Sequence, residues 1–153
     1  MMPNARTAGW AISIVLLLNR LSLGLYLFLA GYRKVFILGP GDFYREGFLT
    51  MKPDWLPIWF AAPYGYAIPF AELIGGAMLV LGLFTPVVAA IIGLLIFSFT
   101  VALVTRNGTL VHGPGPFTAN LIMISLAMLL TLTGAGRISI DALIGGKGGA
   151  RRG

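Results

Sequence analysis

One carboxylate inside a long apolar run limits what this chain can become. From Tyr66 to Leu83 every residue is apolar or small except Glu72. A run of this length suits one membrane crossing, which takes about 20 residues at about 1.5 Å of rise each. An ionised carboxylate on a membrane helix is costly unless it is protonated, paired or turned towards a polar cavity. Helical spacing puts Glu72 on one face with Gly75, Gly76, Leu79 and Gly82. Small residues on a face let a second helix approach closely. The spacing therefore predicts that Glu72 points into a helix bundle and that the rest of the chain supplies its partners.

The composition agrees with a membrane location. Of 153 residues, 58% are hydrophobic and only 10% are charged, the profile of an integral membrane protein with a single small domain. The absence of cysteine excludes disulfide, iron–sulfur and CxxC chemistry. One histidine, His112, cannot supply bis-histidine haem ligation from one chain. No haem, iron–sulfur cluster or metal is therefore expected within this chain. The net charge of +6 comes from loops and tail, which reads as orientation and contact with the lipid surface; nothing points to nucleic acid.

Taken in order, the chain predicts an all-α, four-helix membrane bundle with helices at about 10–33, 65–83, 86–105 and 117–134. The first run, Trp10 to Gly31, starts like a signal peptide. Phe28-Leu29-Ala30 is a poor cleavage site, however, and Asn19 and Arg20 break the apolar core, so it reads as a retained helix. Residues 32–65 form the longest connection. Its charges, prolines and aromatic residues suit the membrane interface, with a short helix near 42–49 lying on the bundle as a partial lid. Residues 1–144 make the membrane domain. Ser139 caps a short turn, Ile140 to Ile144, and 145–153 form a glycine-rich, disordered basic tail. Four crossings put both termini on one side, side A, and the loops 32–65 and 105–116 on the other, side B. Five basic residues fall on each side, so the charge count does not decide orientation. The free basic tail favours a cytoplasmic side A.

Helix rise places the polar groups. Glu72 lies ~9 Å below side B, Asn120 ~5 Å and Thr100 ~6 Å, with Lys34 and His112 at the rim. Arg20 lies ~15 Å from side A, about 6 Å axially from Glu72. Its side chain leans towards its own helix N-terminus, away from Glu72. The expectation is that Arg20, Lys34, Glu72 and Asn120 converge below the side-B loops. Two readings stand for each group. Arg20 and Glu72 make either a structural ion pair or a ligand contact; Asn120 joins helices or touches ligand. His112 reads first as a solvated loop histidine, and the Trp and Tyr residues of 55–66 as an interface belt.

These residues sit in a pattern that resembles the DoxX/DoxD-like family of small bacterial and archaeal four-helix membrane proteins. The carriers are Arg20-Leu-Ser-Leu-Gly24 and Gly31-Tyr-Arg-Lys34, then Glu72-Leu-Ile-Gly-Gly76 running into Leu81-Gly-Leu-Phe-Thr-Pro86. Asn120 and Gly136-Arg-Ile-Ser-Ile-Asp141 complete it. The resemblance implies association with quinone-linked redox complexes of the prokaryotic inner membrane, and places the family's polar positions on Arg20, Lys34, Glu72 and Asn120. The function expected from it is a membrane subunit of a quinone-linked oxidoreductase, bound to other subunits of a redox complex or to copies of itself. It would anchor a partner and bind a quinone head group through Arg20, Lys34, Asn120 or His112. Glu72 would be the catalytic group, relaying the proton. The alternatives are a binding or transport protein for a small amphipathic molecule or lipid, and a structural accessory subunit without chemistry.

Overall fold

The computed structural model describes residues 5–107 and 116–149. They are helical almost throughout, and among the described residues there is no strand. Helix α1, Ala5–Tyr32, widens into a π-helical turn over Arg33–Ile37. A helical strap follows: α2 at Pro40–Asp42, a second π-helical turn at Phe43–Phe48, and α3 at Leu49–Met51. The long helices α4, Ile58–Leu81, and α5, Thr85–Asn107, come next. Helices α6, Pro116–Thr133, and α7, Ile140–Gly149, complete the order. Three segments are long and apolar enough to cross a membrane: Gly9–Ile37, Ile58–Leu81 and Thr85–Thr105. Ala119–Thr133 is apolar but shorter. Over the described residues this is an all-helical fold, and the long apolar helices make the protein an integral membrane protein.

The strap lies where the lid is expected. The fourth long element, α6, begins close to its expected position. Helix α4 begins seven residues before the expected start, directly after the extended Pro57. Pro63 and the aromatic residues around it suggest a loop, yet Pro63 and Pro69 both lie inside α4. A proline in a helix loses one backbone hydrogen bond. Packing compensates, because Gly65 leaves room for Tyr44 and Phe48 of the strap to lie on the helix. A Cβ at Gly65 would come within 2.8 Å of the Tyr44 ring. The turn expected at Ile140 to Ile144 is a helix reaching Gly149, so the backbone is helical over part of the stretch expected to be a disordered tail. Residues 150–153 and the expected His112 site lie outside the described residues.

The long helices pack as two antiparallel hairpins. Helices α1 and α4 meet backbone to backbone: a Cβ at Gly31 would fall 2.7 Å from Leu73 Cα and 2.8 Å from Pro69 O, and one at Gly76 would fall 2.8 Å from Gly24 O. Glycine is needed here because no flexible side chain could move aside. Helices α5 and α6 pair through Gly93 against Ala127 and Pro86 against Gly134. Between the hairpins, towards side A, lies one core that includes Leu16, Leu23, Leu27, Leu79, Ile92, Ile96, Ala127 and Leu130. Apolar residues cover the outside as well, as they must where the solvent is lipid.

Candidate functional site

The two hairpins separate towards side B. Between them, under the strap, is a cavity of about 560 Å³. That is within the range of sites for drug-sized molecules. Its wall is mostly aromatic and aliphatic, including Phe43, Phe48, Phe60, Ile68, Ile96 and Met123. The residues on it that carry polar side-chain atoms are few: Tyr26, Lys34, Lys52, Trp55, Tyr64, Glu72, Ser98 and Asn120.

Lys34 and Glu72 form the charged pole. Lys34 lies three residues beyond Gly31 and so continues the face of α1 that touches α4. Its Nζ donates to Glu72 Oε1 at 2.7 Å and to Oε2 at 2.6 Å. The Glu72 side chain is only 5% exposed and that of Lys34 22%. Lys34 Nζ also lies 4.8 Å from the centre of the Phe43 ring on the strap, a cation–π contact. A bifurcated pair of this kind satisfies a buried carboxylate while leaving the ammonium one further donor to offer.

A second polar pole lies on the same cavity wall. Ser98 donates to Leu95 O at 2.6 Å, so its oxygen is left to accept from the Tyr64 hydroxyl across the α4–α5 seam. Tyr64, Ile68 and Glu72 recur at four-residue intervals along α4, and all three line the cavity. That spacing was the available signal for Tyr64. The interface-belt reading of the nearby aromatic residues hid it. Tyr64 also packs edge-on against Phe48 of the strap, with ring centres 6.0 Å apart. Lys52 is occupied by backbone, donating to Pro53 O at 2.9 Å and Leu56 O at 2.8 Å. Asn120 is half-buried on the cavity wall. Among the described residues no group of three His, Asp or Glu could hold a metal ion.

Arg20 does not join this cluster, which corrects the expected convergence. Its Nη1 donates to Ala135 O at 3.1 Å and its Nη2 to Ile138 O at 2.8 Å. It thus grips the connection between α6 and α7, at the opposite end of the bundle from Lys34. The reason is the tilt of helical side chains towards the helix N-terminus, which for α1 means side A. That connection leads into α7, whose first turn carries Asp141, and the Asp141 carboxylate accepts from the backbone N–H groups of Phe84 and Thr85 at 2.7 and 2.8 Å. Asp141 therefore caps the start of α5 from a distant part of the chain. Sequence spacing gave no sign of this, because a cap supplied by a residue 56 positions away has no local pattern.

A family model described as methylamine utilisation protein MauE matches residues 12–111, about two thirds of the chain. This overturns the DoxX/DoxD resemblance. Most of its carriers are small residues among aliphatic ones, which any tight helix–helix contact in a membrane demands, so they do not separate one such family from another. The matched stretch contains Lys34, Tyr64, Glu72 and Ser98, but not Asn120. No curated protein and no solved structure matches the chain.

Proposed function

The chain belongs to the MauE family of methylamine utilisation proteins, and from that premise we propose an accessory membrane protein of a redox pathway that binds an amphipathic ligand of the quinone class. The observation that carries this reading is the Lys34–Glu72 pair on the wall of an otherwise aromatic cavity. The residues present fit such a group. Phe43, Phe48 and Tyr64 offer faces for a planar ring, and the Lys34 ammonium offers a hydrogen bond to a carbonyl oxygen. When bound, a quinone accepts electrons together with protons, and the electrons come from a partner redox protein. The chain itself orients the head group, keeps water out and offers the Glu72 carboxylate as the group through which a proton passes. Arg20 has no part in this, and works on the fold alone.

The test uses the tryptophan on the cavity wall. With Trp10→Phe and Trp59→Phe in place, Trp55 reports alone. Added decyl-benzoquinone should quench it saturably. The neutral variant Lys34→Met/Glu72→Leu should bind at least about tenfold more weakly, about 1.4 kcal/mol. Equal quenching in both proteins would remove the ion pair from the site.

We also place α6 across the membrane as a fourth crossing, in the cytoplasmic membrane of a prokaryote, with both termini cytoplasmic. Its 18 residues span about 27 Å, close to the hydrocarbon thickness of about 30 Å. It pairs along α5, which is itself a membrane span. A reporter active only in the cytoplasm, fused to Gly153, should give signal. A silent but well-expressed fusion would reverse the assignment.

A further inference from the structure

The cavity has two seams through which a ligand longer than the cavity could pass, one on each side between the two hairpins. The α4–α5 seam is latched twice. The Tyr64 hydroxyl bonds Ser98 across it, and Trp55 Nε1 of the connection into α4 donates to Thr105 Oγ1 of α5 at 3.1 Å. The α1–α6 seam is tied lower down, where Asn19 Nδ2 donates to Leu126 O at 3.2 Å. Towards side B from that bond, Tyr26 and Ala30 of α1 and Asn120 and Met123 of α6 line the cavity.

Tyr26 marks the rim of this seam. It lines the cavity and yet is 55% exposed on the outside of the bundle. The surface flanking it is apolar and exposed: Leu25 and Leu29 on α1, Leu121 and Ile122 on α6. In an integral membrane protein that surface faces hydrocarbon, so an opening here leads into lipid.

We propose that the ligand enters and stays partly in the bilayer through the α1–α6 seam, its polar head at Lys34 and Glu72 and its hydrocarbon tail passing Tyr26 into lipid. This deepens the ligand-binding reading above and rests on it. From Lys34, in the π-helical turn, back to Tyr26 on α1 is eight residues, about 12 Å of rise. A single ring cannot reach from one to the other. The class of ligand is therefore a head group with acceptor oxygens on a long aliphatic or prenyl tail. Lipid is as apolar as the cavity wall, so the tail gains little by moving between them. Its role is to concentrate the ligand in the layer from which the seam opens, while the ion pair and the aromatic faces select the head.

The experiment uses the full chain in lipid nanodiscs and two photoreactive benzoquinones. Both carry a decyl tail; one bears its diazirine at the tail end, the other beside the ring. Labelled positions are mapped by mass spectrometry, with and without excess unlabelled decyl-benzoquinone. The ring probe should label the neighbourhood of Phe43 and Glu72. The tail probe should label α1 around Tyr26 and Leu29 and α6 around Leu121–Met123. Both sets of labels should be lost on competition. Competed tail labelling confined to the Phe97 and Trp55 side, or to the cavity interior, overturns the seam while leaving the binding reading intact. Ring labelling that competition does not reduce overturns the binding reading, and this one with it.

Discussion

Arg20→Ala should cost about 3–6 kcal/mol of folding free energy and do more damage than any other single change at the ionisable positions. Arg20 is 2% exposed, and its guanidinium donates to two carbonyls, Ala135 O and Ile138 O. A hydrogen bond from a charged donor contributes about 1.5–3 kcal/mol, and two carbonyls lose such a partner together. Alanine also leaves a void beside Gly82, because the guanidinium fills the space where a side chain at 82 would stand. The total is a large share of a typical stability of about 5–15 kcal/mol. The measurement is thermal unfolding in mild detergent, followed by circular dichroism, with size exclusion to count the folded fraction. Arg20→Lys should recover only part of the loss, since one ammonium does not reproduce the planar fork. Ligand binding by the protein that does fold should be unchanged. A stable Arg20→Ala protein that has lost quinone binding would show that Arg20 serves the ligand and that its backbone contacts are incidental.

Lys34→Met should cost about 3–5 kcal/mol, and Lys34→Met/Glu72→Leu should recover most of it. Removing one partner of a buried pair leaves the other charge uncompensated, which is where a loss of that size comes from; replacing both with apolar groups can be neutral. The Glu72 side chain is 5% exposed, so water offers it little relief. Glu72→Gln should be milder than Lys34→Met, because glutamine keeps the shape and one acceptor for Lys34. Unfolding free energies of the wild type, both single variants and the double variant close a thermodynamic cycle whose coupling term reports the pair directly. A double variant as unstable as Lys34→Met alone would mean that the contact of the Lys34 ammonium with the Phe43 ring stabilises the fold and the pairing with Glu72 does not.

Much of this arrangement is legible in the sequence, for reasons that differ by residue. Glu72 stands out because a charge among apolar residues must have a partner, and helix rise puts Lys34 near the same rim; the ion-pair partner expected for Glu72 is nevertheless Arg20, and the structure gives it Lys34 instead. Glycines at helical spacing give the α1–α4 contact for the same kind of reason. Arg20 departs from the expected cluster because the lean of helical side chains outweighs its axial closeness to Glu72. That lean sends the guanidinium to Ala135 and Ile138. The start of α4 is missed because Pro63 is a local helix breaker and its compensation, Tyr44 and Phe48 packed over Gly65, comes from elsewhere in the chain. Asp141 and the Tyr64–Ser98 bond are tertiary pairings with no local pattern at all. The family assignment fails at the level of motif, since the quoted residues answer to membrane packing shared by many sequences.

The pairing of ions has a consequence for the order in which the chain is made. Lys34 and Glu72 both belong to the first hairpin, so their charges cancel before α5 and α6 leave the ribosome. Arg20 sits in the same hairpin, but the carbonyls it needs lie 115 and 118 residues further on. During synthesis its guanidinium has to wait, unmet, until nearly the whole chain has been delivered. Products truncated before Ala135 therefore retain in α1 a cation without the two carbonyl partners it has in the finished protein.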